Sequence, residues 1–281
     1  MTVPQKMLSR DSFIELGARA RTFALLDPGS ARELCGPFDD IESPWLIPQS
    51  IVPESDDGVI VVKGTLEGEP VVVIGIEQRF QGGAVGEVSG TKAATALLLA
   101  AADNRGGTPT SAVLLLETGG VRLQEANLGL AAVAEICAAL LELREYQPVV
   151  GVIAGRLGSF GGMSIAAGLC SALVMTSESR LGLNGPEVIE SEAGIEEFDA
   201  SDHADVWAVT GGIQRVRTGL ADTLVGDDVK EVRAATARHL RDEGGGAPRS
   251  QRVGVLRDRL ERIDPAQPPS PAGLADAWGL R

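Results

Sequence analysis

Apolar residues recur along this chain at two spacings, helical near the start and strand-like soon after. Ser12 to Leu26 places Phe13, Leu16, Ala20, Phe23 and Leu26 at or near helical intervals and stops at Asp27-Pro28-Gly29, which predicts an amphipathic helix closed by a turn. Ser30, with Glu33 three places on, has the form of a capping box and predicts a second short helix. A proline-punctuated link from Gly36 to Pro53 follows, with Trp45 and Leu46 as its anchors to the body. Alternation and β-branching in Val59 to Gly64 and Pro70 to Glu77 predict two strands, joined as a hairpin through the LEGEP turn. Glycines then loosen the chain as far as Gly90, and a helix of small residues spans Thr91 to Ala102, capped by Ser89 or Thr91.

The next stretch organises the rest. Ser111 to Leu116 is small or apolar, ETGGVRLQE (Glu117 to Glu125) carries a diglycine, and helical character runs on to Tyr146. This predicts a buried strand, a tight turn and a buried helix. The same layout returns where PVVGVIAG (Pro148 to Gly155) meets RLGSFGGMSIAAGLCS (Arg156 to Ser171). At such junctions the first N–H groups of the helix lack an intrahelical partner, and glycine admits a ligand oxygen to them. Each turn is a candidate oxyanion site, although an ordinary turn uses the same glycines for its backbone angles alone. Two such turns at one end of neighbouring strands would aim two sets of donors at one developing charge.

Ala172 to Met175 and Arg180 to Leu183 read as short strands, and Asn184-Gly185-Pro186 opens another helix with Glu187 in its first turn. Gly194 to Val209 is polar and acidic around Asp199, Asp202, His203 and Asp205, and Thr210-Gly211-Gly212 makes a further turn. Leu220 to Asp222 with Val225 suggests a last strand, and Val229 to Leu240 a helix. Arg241 to Ser250 is glycine-rich and expected to be mobile, Gln251 to Ile263 is a basic amphipathic helix, and the proline-rich tail to Arg281 reads as an arm. The division expected is a helical segment and linker (1–53), a main domain (54–240) and a C-terminal helix and arm (241–281). Strands alternating with helices at intervals of about twenty to forty residues suggest stacked β-β-α turns, an α/β architecture with a parallel component.

Composition narrows the function classes. With 281 residues and 44% hydrophobic content, the chain can bury a full core. A formal net charge of −14 argues against a broad nucleic-acid-binding face. No uncharged apolar run of about 18 residues is present and MTVPQKMLSR lacks the apolar core of a signal peptide, so a cytoplasmic protein is expected. Cys35, Cys137 and Cys170 are too scattered for a zinc ribbon or a disulfide framework, so no metal is expected. Arg79 and Lys92 are the cations nearest the loop before Gly90; a role on a phosphate or carboxylate stands beside that of solvated charges.

Taken together, these patterns resemble the crotonase-like fold of acyl-thioester enzymes, in its carboxyltransferase branch. Thr118-Gly119-Gly120-Val121-Arg122-Leu123-Gln124-Glu125 is similar to that branch's Ser-Gly-Gly-Ala-Arg-type turn, and Gly161-Gly162-Met163-Ser164 to its later glycine pair. SFIELGARARTFALLDPGSARELCGPFDDIESPWL, GGAVGEVSGTK, LLLETGGVRLQEANLGL and GPEVIESEAGIEEFDASDHADVWAVTGG together resemble the beta subunits of biotin-independent malonate decarboxylases, up to about Asp228. Neither a four-cysteine zinc ribbon nor a biotinyl-lysine segment is present.

The resemblance implies decarboxylation of a malonyl thioester, which leaves negative charge on the thioester oxygen as an enolate. It places backbone donors around Gly119, Gly120 and Val121 and around Gly161 and Gly162, each contributing roughly 3 kcal/mol. Arg122, Gln124 and Ser164 lie in the same motifs and are candidate substrate contacts, with Arg79 and Lys92. For the proton that follows, His203 between Asp202 and Asp205 is one candidate and water another, with Glu87 and Glu125 as alternative acids; surface or ion-pairing roles explain each of these side chains as well. The implied partners are a homologous gamma subunit facing the site, a transferase subunit, and an acyl carrier protein whose prosthetic group derives from dephospho-CoA. No cofactor is implied on this chain itself. Arg249, Arg252, Arg257, Arg259 and Arg262 form its densest basic run, fit for a solvated face, a subunit contact or carrier docking. Two alternatives stand beside this: a crotonase-type hydratase or isomerase, which would need a pair of glutamates over the thioester that the sequence does not clearly offer, and a non-catalytic assembly partner that only shapes the gamma subunit's pocket.

Overall fold

The computed structural model describes residues 10–241 and 249–280; the glycine-rich stretch 242–248 and the N-terminal nine residues lie outside them. Seven strands form one sheet in sequence order: β1 (Arg32–Leu34), β2 (Val59–Leu66), β3 (Glu69–Ile76), β4 (Ser111–Leu115), β5 (Val149–Ile153), β6 (Ala172–Thr176) and β7 (Thr223–Val225). The first three pair antiparallel and the remainder parallel. Between the parallel strands run α2 (Glu87–Arg105), α3 (Asn127–Leu143) and α4 (Gly162–Leu169), preceded in the chain by α1 (Ala18–Leu25). Beyond β6 come α5 (Pro186–Ala193), α6 (His203–Thr210), α7 (Gly212–Arg217), α8 (Val229–Leu240), α9 (Val253–Leu260) and α10 (Leu274–Ala277).

A second, minimal ladder makes this a β-β-α spiral. Single-residue parallel bridges join Val85 to Val121, Thr118 to Ser159 and Ser159 to Leu181. Each turn of chain therefore gives one strand to the main sheet and one residue to a short layer at the strands' C-terminal ends, where both diglycines sit. The expected strand Arg180 to Leu183 exists only as part of this layer, through the Leu181 bridge and one from Arg180 to Gly211.

Strands β3 to β6 are apolar on both faces because both are covered. Leu114, Ile153 and Leu173 pack with Leu97, Ile136 and Leu140 of α2 and α3 on one side. Val113, Val150 and Val174 pack with Phe13, Leu25 and Val232 near α1 and α8 on the other.

Three local expectations change. Ser30 does not cap a helix: its hydroxyl donates to Asp27 O and accepts from Thr65 N, and residues 32–34 run as edge strand β1 against β2. Glu33, which the capping box needs, is taken by Arg19 instead. Helix α2 begins at Glu87 rather than near Thr91, since Ser89 Oγ, accepting from Gly86 N, closes its first turn. The C-terminal tail is held, with Gln214 donating to Pro271 O and with Ala275 and Trp278 buried.

Candidate active site

The two glycine turns touch. A β-carbon added at Gly120 would lie 3.1 Å from Gly161 Cα, and one at Gly161 would lie 3.0 Å from Gly120 Cα. Both residues also hold positive φ, 115° and 59°, so side-chain-free backbone is required twice over. Hydrogen bonds knit the turns: Thr118 N donates to Gly158 O at 2.8 Å and Phe160 N to Thr118 O at 3.0 Å.

Most donors assigned to these turns from sequence are already used. Gly119 N–H donates to Gly82 O at 3.0 Å, Gly120 N–H to Thr118 Oγ1 at 3.0 Å, and Gly161 N–H to Leu183 O at 2.7 Å. Among the described residues, Val121 N–H and Gly162 N–H have no hydrogen-bond partner. Val121 escapes pairing because its bridge to Val85 uses only the flanking groups, Val85 N to Gly120 O and Arg122 N to Val85 O. Gly162 escapes because it is the first residue of α4, where no carbonyl lies a turn behind. Gly119, Gly120 and Gly161 thus build the scaffold, and the two open donors follow them on adjoining backbone.

Arg122 turns inward from the first turn. Its guanidinium is fully buried, bonds both Asp57 carboxylate oxygens at 2.8 and 3.0 Å and Glu125 Oε1 at 2.8 Å, and lies 5.1 Å from the Phe80 ring centroid. Ser89 N–H donates to Asp57, while Ser43 Oγ and Glu87 N–H donate to Glu125, so one cluster ties four segments behind the turn. Burial raises the Asp57 carboxyl above its usual range in spite of Arg122. Burial pushes Glu125 the same way, but the hydrogen bonds from Ser43, Glu87 N–H and Arg122 outweigh it and leave it below the ordinary range. Arg122→Met strands two buried carboxylates, so a loss of about 3–5 kcal/mol in unfolding free energy is expected by denaturant titration. An unchanged midpoint would mean that Arg122 does not hold this region together.

The remaining sequence candidates separate. Lys92 is buried, donates to Asp56 O at 2.7 Å and Val59 O at 2.6 Å, and is pushed below the usual ammonium range by that burial; these bonds pin a loop. Arg79 and Gln124 are exposed, the latter accepting through its carbonyl from Gln49. Ser164 Oγ donates to Gly161 O at 2.7 Å, bracing the second turn from within α4. Glu87 accepts from Trp45 Nε1 at 2.6 Å. His203 is exposed at the start of α6, edge-on to Trp207 with ring centroids 6.0 Å apart, and Arg180 lies over both Trp207 and Phe160.

One support was not legible in the motifs. Arg21 of α1 pairs with buried Glu117, whose other oxygen accepts from Leu157 N at 3.0 Å, so a single ion pair backs both turns. Only the burial of Glu117 between an apolar strand and a diglycine hinted at it.

Residues 16–238 match the carboxyl transferase domain family. The chain belongs to that family. It is 36% identical, over 96% of its length and 89% of the other's, to the malonyl-S-ACP:biotin-protein carboxyltransferase of Malonomonas rubra. A Pseudomonas malonate decarboxylase hetero-tetramer, solved in complex with malonate, contains a chain 56% identical to this one, with TM-score 0.95 over 98% of this chain and 99% of that. A Pseudomonas malonate decarboxylase hetero-dimer matches at 53% identity and TM-score 0.77, covering 91% and 98%. The chain is thus a homologue of a malonate decarboxylase subunit with the crotonase-like fold of the carboxyltransferases.

Proposed function

We propose that this chain, with a homologous gamma subunit, decarboxylates a malonyl thioester carried on an acyl carrier protein to the acetyl thioester. The observation that supports it most is the pair of open N–H groups, Val121 and Gly162, on two turns in backbone contact. As the bond to the departing carboxylate breaks, its electron pair moves through the α-carbon onto the thioester oxygen, carbon dioxide leaves, and the α-carbon then takes a proton. Donors fixed on that oxygen stabilise the enolate without having to reorganise. Water or His203 supplies the proton in this reading. The prosthetic group that carries the substrate is derived from dephospho-CoA and belongs to the carrier.

A hydratase-type reading finds no support in the side chains. Glu117 is paired with Arg21, Glu125 with Arg122 and Ser43, and Glu87 is bonded to Trp45, so each glutamate flanking the turns is engaged. Among the described residues no helix is long and apolar enough to cross a membrane.

A second reading comes from the Malonomonas relative, whose name specifies transfer to a biotin protein. Direct release of carbon dioxide is the reading adopted, on the higher identity to the Pseudomonas decarboxylases. Acetyl-thioester formation from a preformed malonyl-carrier should proceed unchanged with avidin or a chelator present. Strong inhibition by avidin would assign the chain to biotin-dependent transfer.

A further inference from the structure

A cavity of about 430 Å³ lies between α4, the Leu181–Leu183 segment, α7 and the C-terminal helix α9. Its walls combine two chemistries. Leu173, Leu220, Val255 and Leu256 supply apolar surface, and Arg215, Arg249, Arg252 and Arg259 supply guanidinium groups. Three of the five arginines in the C-terminal basic run thus line a cavity, while Arg257 stands outward beside Glu261.

Four guanidinium groups line the cavity. Asp222 is shared by Arg249 at 2.5 Å and Arg252 at 3.7 Å. Arg215 donates through Nε to Leu181 O at 2.8 Å, and Arg259 donates to Thr218 O at 3.3 Å with its guanidinium 5.8 Å from the Trp278 ring centroid. Those partners are neutral. Arg249, nine-tenths buried, also has its Nε without a hydrogen-bond partner among the described residues. Arg215 and Arg259 are half-buried against carbonyls and a ring, Arg249 pairs with Asp222 but keeps a buried, unbonded Nε, and an anion would take up such donors. Burial lowers the Arg215 guanidinium's pKa below its ordinary value, with no acidic neighbour offsetting the effect.

We propose that this cavity binds an oxyanion carried on an apolar segment, with the anionic end among Arg215, Arg249 and Arg259 and the segment against Leu173, Leu220, Val255 and Leu256. Planar guanidinium forks match phosphate and carboxylate oxygens two at a time, and the volume suits a small amphipathic molecule. One wall of the site is α4, the helix that opens at Gly162, and binding of a free anion there is measured apart from turnover.

Titration calorimetry on the chain assembled with its partner subunits tests it, using hexyl phosphate, hexanoate and hexanol as probes. Saturable binding of hexyl phosphate or hexanoate, with hexanol at least tenfold weaker, is expected, and the tighter of the two anions identifies the oxyanion. Arg215→Gln should weaken that binding at least tenfold. Since Arg215 is half-buried and bonded to Leu181 O, Val255→Glu serves as a second variant: Val255 is exposed on α9, so the fold tolerates the change, and the added carboxylate should repel the anion. Equal affinity for hexanol, no binding of either anion, or unaltered binding in a folded Val255→Glu protein would overturn the proposal.

Discussion

Replacing Gly162 with proline in a Val133→Ala background is expected to lower decarboxylation turnover by about 10²–10³-fold while the subunits still assemble, because one oxyanion donor contributes that much. Proline suits the first position of a helix, where its missing N–H breaks no intrahelical bond, so α4 should form as before. The preceding Gly161, at φ 59° and ψ −146°, is extended in the mirror-image region that glycine adopts freely. The companion change is needed because a β-carbon at position 162 would sit 3.1 Å from a Val133 methyl of α3. For the same reason Gly162→Val alone is a poor test, since it would disturb helix packing as well as substrate approach. Val133→Ala by itself provides the control and should retain turnover. Full activity in the proline double variant, measured by acetyl-thioester formation, would show that Gly162 N–H plays no part.

Without its partner the chain should aggregate or self-associate and show negligible decarboxylation, and adding the gamma subunit should restore solubility and turnover together. Apolar side chains stay exposed on the two helices that follow the turns and on α2 beside them: Leu98 and Leu99 on α2, Leu130 on α3 and Ile165 on α4, with Leu123 just before α3. A monomer rarely leaves so many large hydrophobes uncovered, and an obligate interface of about 2,000 Å² or more would absorb them. Covering that surface would also exclude water from the adjoining turns and strengthen their donors. The similar Pseudomonas chains were solved as a hetero-dimer and a hetero-tetramer, which supports a shared assembly. A monodisperse and fully active single chain in sedimentation and kinetic runs would contradict this.

Strands β2 to β6 and both turns were legible because they depend on local rules. Apolar runs of five or six residues ending in glycine can be read as buried strands, and the Glu67-Gly68 hairpin, with φ of 54° and 87°, follows from its turn chemistry. What escaped depends on tertiary partners. Ser30 and Glu33 satisfy a capping box locally, but Thr65 and Arg19 compete for the same side chains once the hairpin folds over them. Lys92 and Arg122 look like ligands for an anion in a linear sequence, and only the fold shows that backbone carbonyls and two carboxylates enclose them. The same holds for the donors, because consecutive glycines do not reveal which N–H groups are spent on Gly82, Thr118 and Leu183.

The most direct measurement is a crystal structure of the assembled beta–gamma pair with a non-cleavable malonyl-thioester analogue on its carrier. The expected result is a thioester oxygen at about 2.7–3.1 Å from both Val121 N and Gly162 N, the distance range of an oxyanion hole. A thioester oxygen held by other groups, with those two N–H donors facing solvent or the partner chain, would contradict the account.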